Sequence, residues 1–244
     1  MNLAKNALGR LVPESLGGLG TFHPYEGAFG RILKGLPSPA AFPVRKPEPP
    51  SRSKVVPGLE KAIERSGLEN GMTISFHHHL RNGDAVIPMV LETLLQMGFR
   101  DLTFAPSSIP DSHDCVADYV RKGLIRRIWT SGARGEVGRM ISRGEMEEPV
   151  IIRSHGGRAR AVEEGSLAID VAFMAAPACD ALGNSAGCMG KSACGSLGYA
   201  ITDARFARHV IVLTDNLVEY PLHPHISIPQ YLVNQVVVVD SLGD

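Results

Sequence analysis

Hydrophobic and polar positions alternate in two different ways after Pro57. Short apolar runs rich in β-branched residues are typical of buried strands, and segments with apolar residues every three or four positions are typical of amphipathic helices. Their alternation predicts an α/β domain with a largely parallel sheet covered by helices. The predicted strands are 72–76, 102–105, 125–130, 150–153, 169–174, 209–213 and 233–239, and the predicted helices are 59–65, 85–97, 114–122 and 137–143.

The N-terminal region has a different composition. Residues 37–57 contain seven prolines among Ser, Lys, Arg and Glu. Because proline lacks the N–H that a helix interior or central strand needs, this segment is predicted to be a linker or an extended arm. The glycine-rich stretches 9–14 and 24–29 are expected to dock onto the main domain or a partner. We therefore predict an irregular arm over 1–57 and an α/β domain over 58–244.

Composition excludes some classes of function. The 244 residues include 25 Lys plus Arg and 25 Asp plus Glu, so the net charge is zero and neither nucleic acid nor anionic lipid is an expected partner. The N-terminus lacks a hydrophobic signal segment, and no run approaches the roughly 18 apolar residues of a membrane span. A soluble, cytoplasmic protein is expected.

The cysteines do not follow a metal-binding pattern. Cys115, Cys179, Cys188 and Cys194 lack the spacing of two to four residues typical of a zinc knuckle. They are predicted to be free thiols in or near the core, as is usual in a reducing compartment.

The segment 75–84 follows the first predicted strand of the domain and precedes an amphipathic helix. It contains three consecutive histidines and Arg81, and Asp84 stands where a helix N-cap is expected, after an Asn-Gly turn. In open α/β sheets, ligands bind beyond the carboxyl ends of the strands, where a helix N-terminus offers N–H groups to an anion. The segment therefore predicts a site for a carboxylate or an oxyanion.

The histidine triplet also suggests a metal site, since imidazole is the commonest metal ligand. Adjacent residues of a strand point to opposite faces, however, so only His77 and His79 can share one. A polar lining of an acyl or carboxylate pocket is therefore favoured over a metal site, with ordinary packing as the remaining alternative. No metal is expected.

A second imidazole and guanidinium follow the strand 150–153, in the sequence Ser154-His155-Gly156-Gly157-Arg158. The two glycines allow a ligand to approach the backbone closely, although a plain turn is equally compatible with them.

The stretch 187–192 resembles the end of a phosphate-binding P-loop. Ser185 stands where the first glycine of that motif is required, so a nucleotide-hydrolysing function is disfavoured. A glycine-rich loop around Lys191 still suits phosphate groups through its backbone N–H donors.

Taken in order, these segments resemble the alpha subunit family of bacterial citrate lyase, within the coenzyme A transferase superfamily. The resemblance runs from residue 66 to the C-terminus, and the segments 9–14 and 24–29 also resemble the start of such subunits. It is carried by GMTISFHH at 71–78, Arg81 with 83–84, WTSG at 129–132, SHGGR at 154–158, IDVAF at 169–173, Cys179-Asp180 with Gly183-Asn184, Gly190-Lys191, and CGSLGYA at 194–200.

The resemblance implies a coenzyme A transferase-like fold and an acyl exchange. In the family, the alpha subunit transfers a carrier-protein thioester from acetate to citrate, through a mixed anhydride of the two acyl groups. A beta subunit then cleaves citryl carrier to oxaloacetate and acetyl carrier. The thiol belongs to a phosphoribosyl-dephospho-coenzyme A arm on a gamma acyl carrier subunit. Citrate, the acetyl carrier thioester and these two subunits are the implied partners, and a free coenzyme A thioester is the alternative donor.

The resemblance also implies roles for residues. Arginines are suited to bidentate binding of carboxylates, imidazoles to hydrogen bonds with citrate, and backbone amides to the charge that develops on the attacked carbonyl. The implied catalytic residues are His77, His78, Arg81, Gly83 and Asp84. The implied substrate-binding residues are His155, Gly156, Gly157 and Arg158. The implied residues for the carrier's coenzyme A-like arm are Asn184, Gly190, Lys191, Gly195 and Ser196.

One departure concerns length. Family members carry a second, related α/β domain, and their active site lies between the two domains. The chain is therefore expected to be a fragment or the product of a split gene, without exchange activity alone. The alternatives are a coenzyme A transferase for another dicarboxylate and a catalytically silent, truncated assembly domain.

Overall fold

The computed structural model describes residues 2–16, 20–21, 23–26, 53–77, 80, 83–222 and 224–243. The chain divides into two compact units, Met1–Pro39 and Ala40–Asp244. The first unit contains two antiparallel pairs of short strands, β1 (Leu3–Lys5) with β2 (Leu11–Pro13), and β3 (Ser15–Leu16) with β4 (Gly20–Thr21). This part of the predicted irregular arm thus has regular structure. Most of the proline-rich segment lies outside the described residues.

The second unit is built on an eight-stranded sheet in the order β5-β15-β13-β10-β6-β7-β8-β9, in which every pair of neighbours is parallel. A small three-stranded sheet has the order β12-β11-β14. The strands are β5 (Val55–Val56), β6 (Thr73–His77), β7 (Leu102–Pro106), β8 (Ile125–Thr130), β9 (Ile151–Ile152), β10 (Val171–Ala175), β11 (Ala178–Asp180), β12 (Ser185–Ala186), β13 (His209–Thr214), β14 (Leu217–Val218) and β15 (Gln235–Val238).

Helices cover both faces of the large sheet. They are α1 (Leu59–Ser66), α2 (Val86–Gln96), α3 (Val116–Arg121), α4 (Gly135–Ser142), α5 (His155–Glu163) and α6 (Ala200–Phe206). Short 3-10 turns occupy Asp111–His113 and Gln230–Leu232. Side chains of α1 to α4 pack in one core cluster and those of α5 and α6 in a second, so the two groups of helices lie on opposite faces.

The period of two along the central strands separates these two cores. Phe76 belongs to the first cluster, where its ring centroid is 5.4 Å from those of Phe104 and Phe173 on the neighbouring strands. Ala172 and Met174, which alternate with Phe173 on β10, belong to the second cluster.

The predicted α/β architecture with a largely parallel, helix-covered sheet is confirmed. All seven predicted strands and all four predicted helices occur, with ends shifted by a few residues. Helices α5 and α6 and the small sheet were not predicted. The edge strand β5 also joins the sheet just before the predicted domain boundary at 57/58.

The four cysteines are free thiols, as predicted. Cys179 is buried, and burial raises the pKa of its thiol to about 12, so it stays protonated. Cys188 is exposed instead of packed near the core, because its loop lies at the protein surface.

Candidate functional site

The strand order reverses between β6 and β10. From β6 the chain adds β7, β8 and β9 toward one edge of the sheet, then returns to place β10 on the other side of β6 and continues to β13 and β15. Ligands of open α/β sheets bind at such a reversal, outside the carboxyl ends of the strands. His77 is the last residue of β6 and therefore lies at this point.

Three polar or aromatic side chains from distant segments meet beside His77. The ring of Tyr199, which directly precedes α6, lies edge-on to the His77 ring at a centroid distance of 6.0 Å. The same tyrosine ring is 5.8 Å from that of His155, the first residue of α5. Ser131, just after β8, has its Oγ 3.3 Å from the His155 Nε2. We call His77, Ser131, His155 and Tyr199 the histidine cluster.

A buried ion pair lies one helical turn behind the histidine cluster. Arg158 donates from Nη1 and Nη2 to the two carboxylate oxygens of Asp203, each at 2.8 Å, and from Nη2 to the carbonyl oxygen of Ala105 at 2.6 Å. Both side chains are at most 3% exposed. Arg158 thus binds a carboxylate bidentately, but that carboxylate belongs to α6 of the same chain. Both Nη atoms of Arg158 are thus engaged within the chain, and its contact with substrate stays a prediction.

The segment 154–158 does not form the plain turn that the sequence left open as an alternative. Helix α5 begins at His155, and the Ser154 Oγ caps it by accepting a hydrogen bond from the Gly157 amide at 3.0 Å. His155 and Gly156 are exposed at the start of this helix, whereas Gly157 packs against the capping hydroxyl. Of the predicted substrate-binding residues, His155 and Gly156 therefore face solvent beside the histidine cluster.

Asp84 serves as the N-terminal cap that its position predicts. Its Oδ1 accepts hydrogen bonds from the amides of Val86 at 2.8 Å and Ile87 at 3.4 Å. Desolvation by burial outweighs these bonds and raises the pKa of Asp84 to about 6. Next to it, the Ala85 amide donates to the carbonyl oxygen of Leu242 at 2.9 Å.

The loop from 187 to 198 adjoins the histidine cluster. Its base is closed where the Gly187 carbonyl accepts hydrogen bonds from the amides of Cys194 at 2.8 Å and Gly195 at 3.0 Å. At its other end, a Cβ on Gly198 would lie 3.5 Å from the His77 Nε2. The loop therefore connects the predicted phosphate-binding residues directly to the end of β6.

The predicted residues for the carrier arm differ in their availability. Gly190, Lys191, Gly195 and Ser196 are exposed. The Lys191 ammonium group donates to the Asp240 carbonyl oxygen at 2.6 Å, while its side chain stays 61% exposed.

Asn184, by contrast, is only 5% exposed. Its side-chain amide donates to Asp180 and Gln230 and accepts from the Gln230 backbone N–H. Its polar atoms are thus engaged in holding the loop after β11, and its contact with a cofactor stays a prediction.

Two glycines of the 187–198 loop allow a matched test of its packing. Gly190 and Gly195 both have positive φ, +85° and +89°, but a Cβ on Gly190 would lie 2.5 Å from the Pro177 carbonyl oxygen, whereas one on Gly195 meets no described atom within 4 Å. We expect Gly195→Ala to cost about 1 to 2 kcal/mol of unfolding free energy from backbone strain alone. Gly190→Ala should cost about 1 to 3 kcal/mol more, because the Pro177 backbone must move. Urea unfolding of the two variants measures the difference, and equal losses would contradict it.

Several predicted site residues meet as expected, and others fall elsewhere. The structure brings His77 and His155 together through Tyr199, and Gly83 and Asp84 lie at the helix start that follows β6. His78 and Arg81 lie outside the described residues, so their roles stay predictions. Tyr199 and Ser131 were missed as site residues. Their only signal in the sequence was membership of the segments WTSG and CGSLGYA.

Within the described residues, no cluster of three or more His, Cys, Asp or Glu side chains is arranged to hold a metal ion. His78 and His79 are outside that range, so the absence of a metal remains a prediction. In the same part of the chain, no helix combines the length and apolar character of a membrane span.

The parallel sheet and its reversal at β6 give the domain a coenzyme A transferase-like fold. Two solved coenzyme A transferases share this fold. They are the Escherichia coli O157:H7 acyl-CoA transferase (16% identity, TM-score 0.58, 80% of this chain and 49% of that one) and glutaconate coenzyme A-transferase from Acidaminococcus fermentans (14%, 0.57, 77% and 76%).

The chain belongs to the citrate lyase alpha subunit family, whose model matches residues 52–244. It is 53% identical over 191 residues to the citrate lyase alpha chain of Klebsiella pneumoniae and 50% identical over 191 residues to that of Escherichia coli K12. The alpha subunit of Streptococcus mutans citrate lyase, crystallised with citrate, superposes with a TM-score of 0.82 at 50% identity, over 86% of this chain and 41% of that one.

The chain spans well under half of these relatives. The matched region is 78% of this chain but 37% of each of the two curated alpha chains.

Proposed function

We propose that this chain supplies the citrate-binding part of an acyl-exchange enzyme, a citrate coenzyme A transferase acting within a citrate lyase complex. In the proposed reaction, the carrier thioester passes from acetate to citrate and gives citryl carrier and free acetate. The observation that carries the proposal is the histidine cluster at the strand reversal, in a chain 53% identical to a citrate lyase alpha chain. The structure of the Streptococcus mutans relative in complex with citrate supports the choice of substrate.

The chemistry requires polar donors for a substrate with several carboxylates. His77 and His155, 6.0 Å and 5.8 Å from the ring between them, are suited to hydrogen-bond two carboxylates or the hydroxyl of one citrate molecule. Arg81, in the segment between His77 and the start of α2, is proposed to add a bidentate contact. Because these groups come from different elements, a rigid site can orient citrate before the acyl group arrives.

The start of α2 is proposed to stabilise the oxyanion that forms when a carboxylate attacks the thioester carbonyl. The amides of Ala85, Val86 and Ile87 are engaged with Leu242 and Asp84. Among the described residues of this turn, that leaves the backbone N–H groups of Gly83 and Asp84 to donate hydrogen bonds to the oxyanion as its charge develops. Preorganised N–H donors of this kind are among the largest contributors to catalysis of acyl transfer.

The donor is proposed to be a phosphoribosyl-dephospho-coenzyme A arm on an acyl carrier subunit, with a lyase subunit consuming the citryl product. The exposed residues Gly190, Lys191, Gly195 and Ser196 fit the phosphates of such an arm, since one ammonium group and glycine backbone lie together at the surface. The arm would supply the thiol that carries the acyl group. This chain's residues would bind and orient it.

A chimeric subunit tests the exchange function. Residues 52–244 replace the matched region of the Klebsiella pneumoniae alpha chain, and transfer from acetyl carrier to citrate is measured with the native relative as positive control. We expect exchange by the chimera and none by the 244-residue chain alone, because the family's site is completed by a second domain. The matched control is the same chimera with His77→Ala, which should lose most of the activity.

Each outcome discriminates among the alternatives. A folded chimera that binds the carrier but does not exchange would indicate an assembly domain without catalysis and overturn the proposal. Faster exchange with a dicarboxylate such as succinate than with citrate would indicate a different coenzyme A transferase. Exchange by the 244-residue chain alone, proportional to its concentration, would mean that the whole site lies on this chain.

A further inference from the structure

Tyr199 is the only residue of the histidine cluster whose ring contacts both imidazoles within the described structure. Its ring lies edge-on to His77, with an interplanar angle of 77°, and is tilted by 41° relative to His155. His77 is the last residue of β6 and His155 is the first residue of α5, and the tyrosine ring lies between their two rings. A ligand that reaches both imidazoles must therefore pass beside this ring.

The position of Tyr199 is determined by the ion pair behind it. His155 and Arg158 are three residues apart at the start of α5, and Tyr199 and Asp203 are four residues apart at the start of α6, so each pair lies on one side of its helix. Because Arg158 and Asp203 bind each other at 2.8 Å, they hold the two helix starts together. His155 and Tyr199 consequently meet one turn closer to the carboxyl ends of the strands.

The tyrosine hydroxyl has no hydrogen-bond partner among the described residues, and the side chain is only partly buried. The edge-on and tilted contacts of the ring thus account for its packing, but they leave the phenol group without a role in the fold. A phenol O–H is a good donor to a carboxylate, and hydrogen bonds to charged groups are stronger than neutral ones. Held rigidly between two imidazoles, this hydroxyl is placed to complete a ring of donors around an anionic ligand.

We propose that Tyr199 is a substrate-contact residue whose hydroxyl donates a hydrogen bond to a carboxylate of the molecule bound between His77 and His155. This inference rests on the proposed citrate-binding function and adds one contact to it, the hydroxyl group of Tyr199. It also separates two roles, since the ring positions the imidazoles and the hydroxyl binds the substrate.

Nuclear magnetic resonance of the histidine side chains in the 244-residue chain tests this role. Citrate is titrated at constant pH while the imidazole signals of His77 and His155 are followed, after assignment with His77→Gln and His155→Gln. Tyr199→Phe keeps the ring and removes only the hydroxyl, so the imidazole signals without citrate and the melting temperature should stay as in the unsubstituted chain. The citrate dissociation constant should rise about tenfold, the size expected for the loss of one hydrogen bond to a charged group.

Two further variants separate the hydroxyl from the ring. Tyr231→Phe is the matched control, because Tyr231 is 71% exposed and lies outside the histidine cluster; it should leave the dissociation constant unchanged. Tyr199→Leu removes the ring as well, so it should shift both imidazole signals even without citrate. Titration with tricarballylate, which has three carboxylates and no hydroxyl, identifies the group contacted: the same tenfold loss in Tyr199→Phe indicates a carboxylate.

The outcomes distinguish this inference from the proposed function. Citrate binding by the unsubstituted chain with an unchanged dissociation constant in Tyr199→Phe would overturn the contact while leaving the citrate site intact. Failure of the unsubstituted chain to bind citrate, with both imidazole signals unmoved, would overturn the contact together with a citrate site on this chain. A loss seen with citrate but not with tricarballylate would overturn the carboxylate assignment, since the partner would then be the citrate hydroxyl.

Discussion

Asp203→Ala is expected to lower the free energy of unfolding by about 3 to 5 kcal/mol, the range for breaking a buried ion pair by removing one partner. The substitution leaves the guanidinium of Arg158 buried without its counter-charge, because that side chain is 3% exposed and water cannot replace the two bonds at 2.8 Å. The remaining hydrogen bond to the Ala105 carbonyl oxygen satisfies one N–H group of Arg158 but does not neutralise its positive charge. Urea unfolding followed by far-UV circular dichroism measures the change.

The exposed pair of Lys61 and Glu64 provides the control. Its atoms are as close, at 2.7 Å, but the side chains are 50% and 54% exposed, so Glu64→Ala should cost well under about 1 kcal/mol. Replacing both buried partners, as in Arg158→Met with Asp203→Leu, should recover part of the loss, because no unpaired charge is then buried. A loss below about 1 kcal/mol for Asp203→Ala would contradict the burial of this pair.

The second large effect concerns the pH dependence of stability through Asp84. Burial raises the pKa of its carboxyl from 3.8 to about 6 in the folded chain, so the folded state disfavours the ionised form. The contribution of Asp84 to the unfolding free energy is therefore greatest below pH 3.8, where the carboxyl is protonated in both the folded and the unfolded chain. It falls as the pH rises from 3.8 through about 6, because the unfolded chain ionises more easily, and it changes no further above that pH. A shift of this size corresponds to about 3 kcal/mol.

Asp84→Asn is the variant that isolates this contribution. Asparagine keeps an oxygen that can accept from the amides of Val86 and Ile87, so the helix cap is retained while the titration is removed. The unfolding free energy of the variant should rise relative to that of the unsubstituted chain by about 3 kcal/mol between about pH 3 and about pH 7. If the unfolding free energies of the two proteins changed with pH in parallel, the folded state would impose no cost on the ionisation of Asp84, and the prediction would be contradicted.

The sequence by itself determined the elements that depend on local pattern. Apolar runs and helical periodicity predicted all the strands and helices from residue 59 to 143, because each is stabilised by a face whose spacing is visible in the chain. The cap at Asp84 was predictable for the same reason, since its bonds reach only two and three residues ahead. The carboxyl end of β6 was likewise predicted as the site from the sequence, because strand-to-helix turns follow directly from that alternation.

Helix α5 was missed because its start, His155-Gly156-Gly157, has low helix propensity, and only the cap from Ser154 and the packing of Ala161 and Val162 in the second core cluster stabilise it. Other features depend on residues far apart in the chain.

The partner of Arg158 lies 45 residues away, and no local pattern specifies which carboxylate a guanidinium will meet. His77, His155 and Tyr199 come from three separate elements, and only the order of strands in the sheet and the packing of α5 against α6 bring them together. Sequence patterns report which face of an element is buried, whereas the tertiary structure decides what that face and its ends contact.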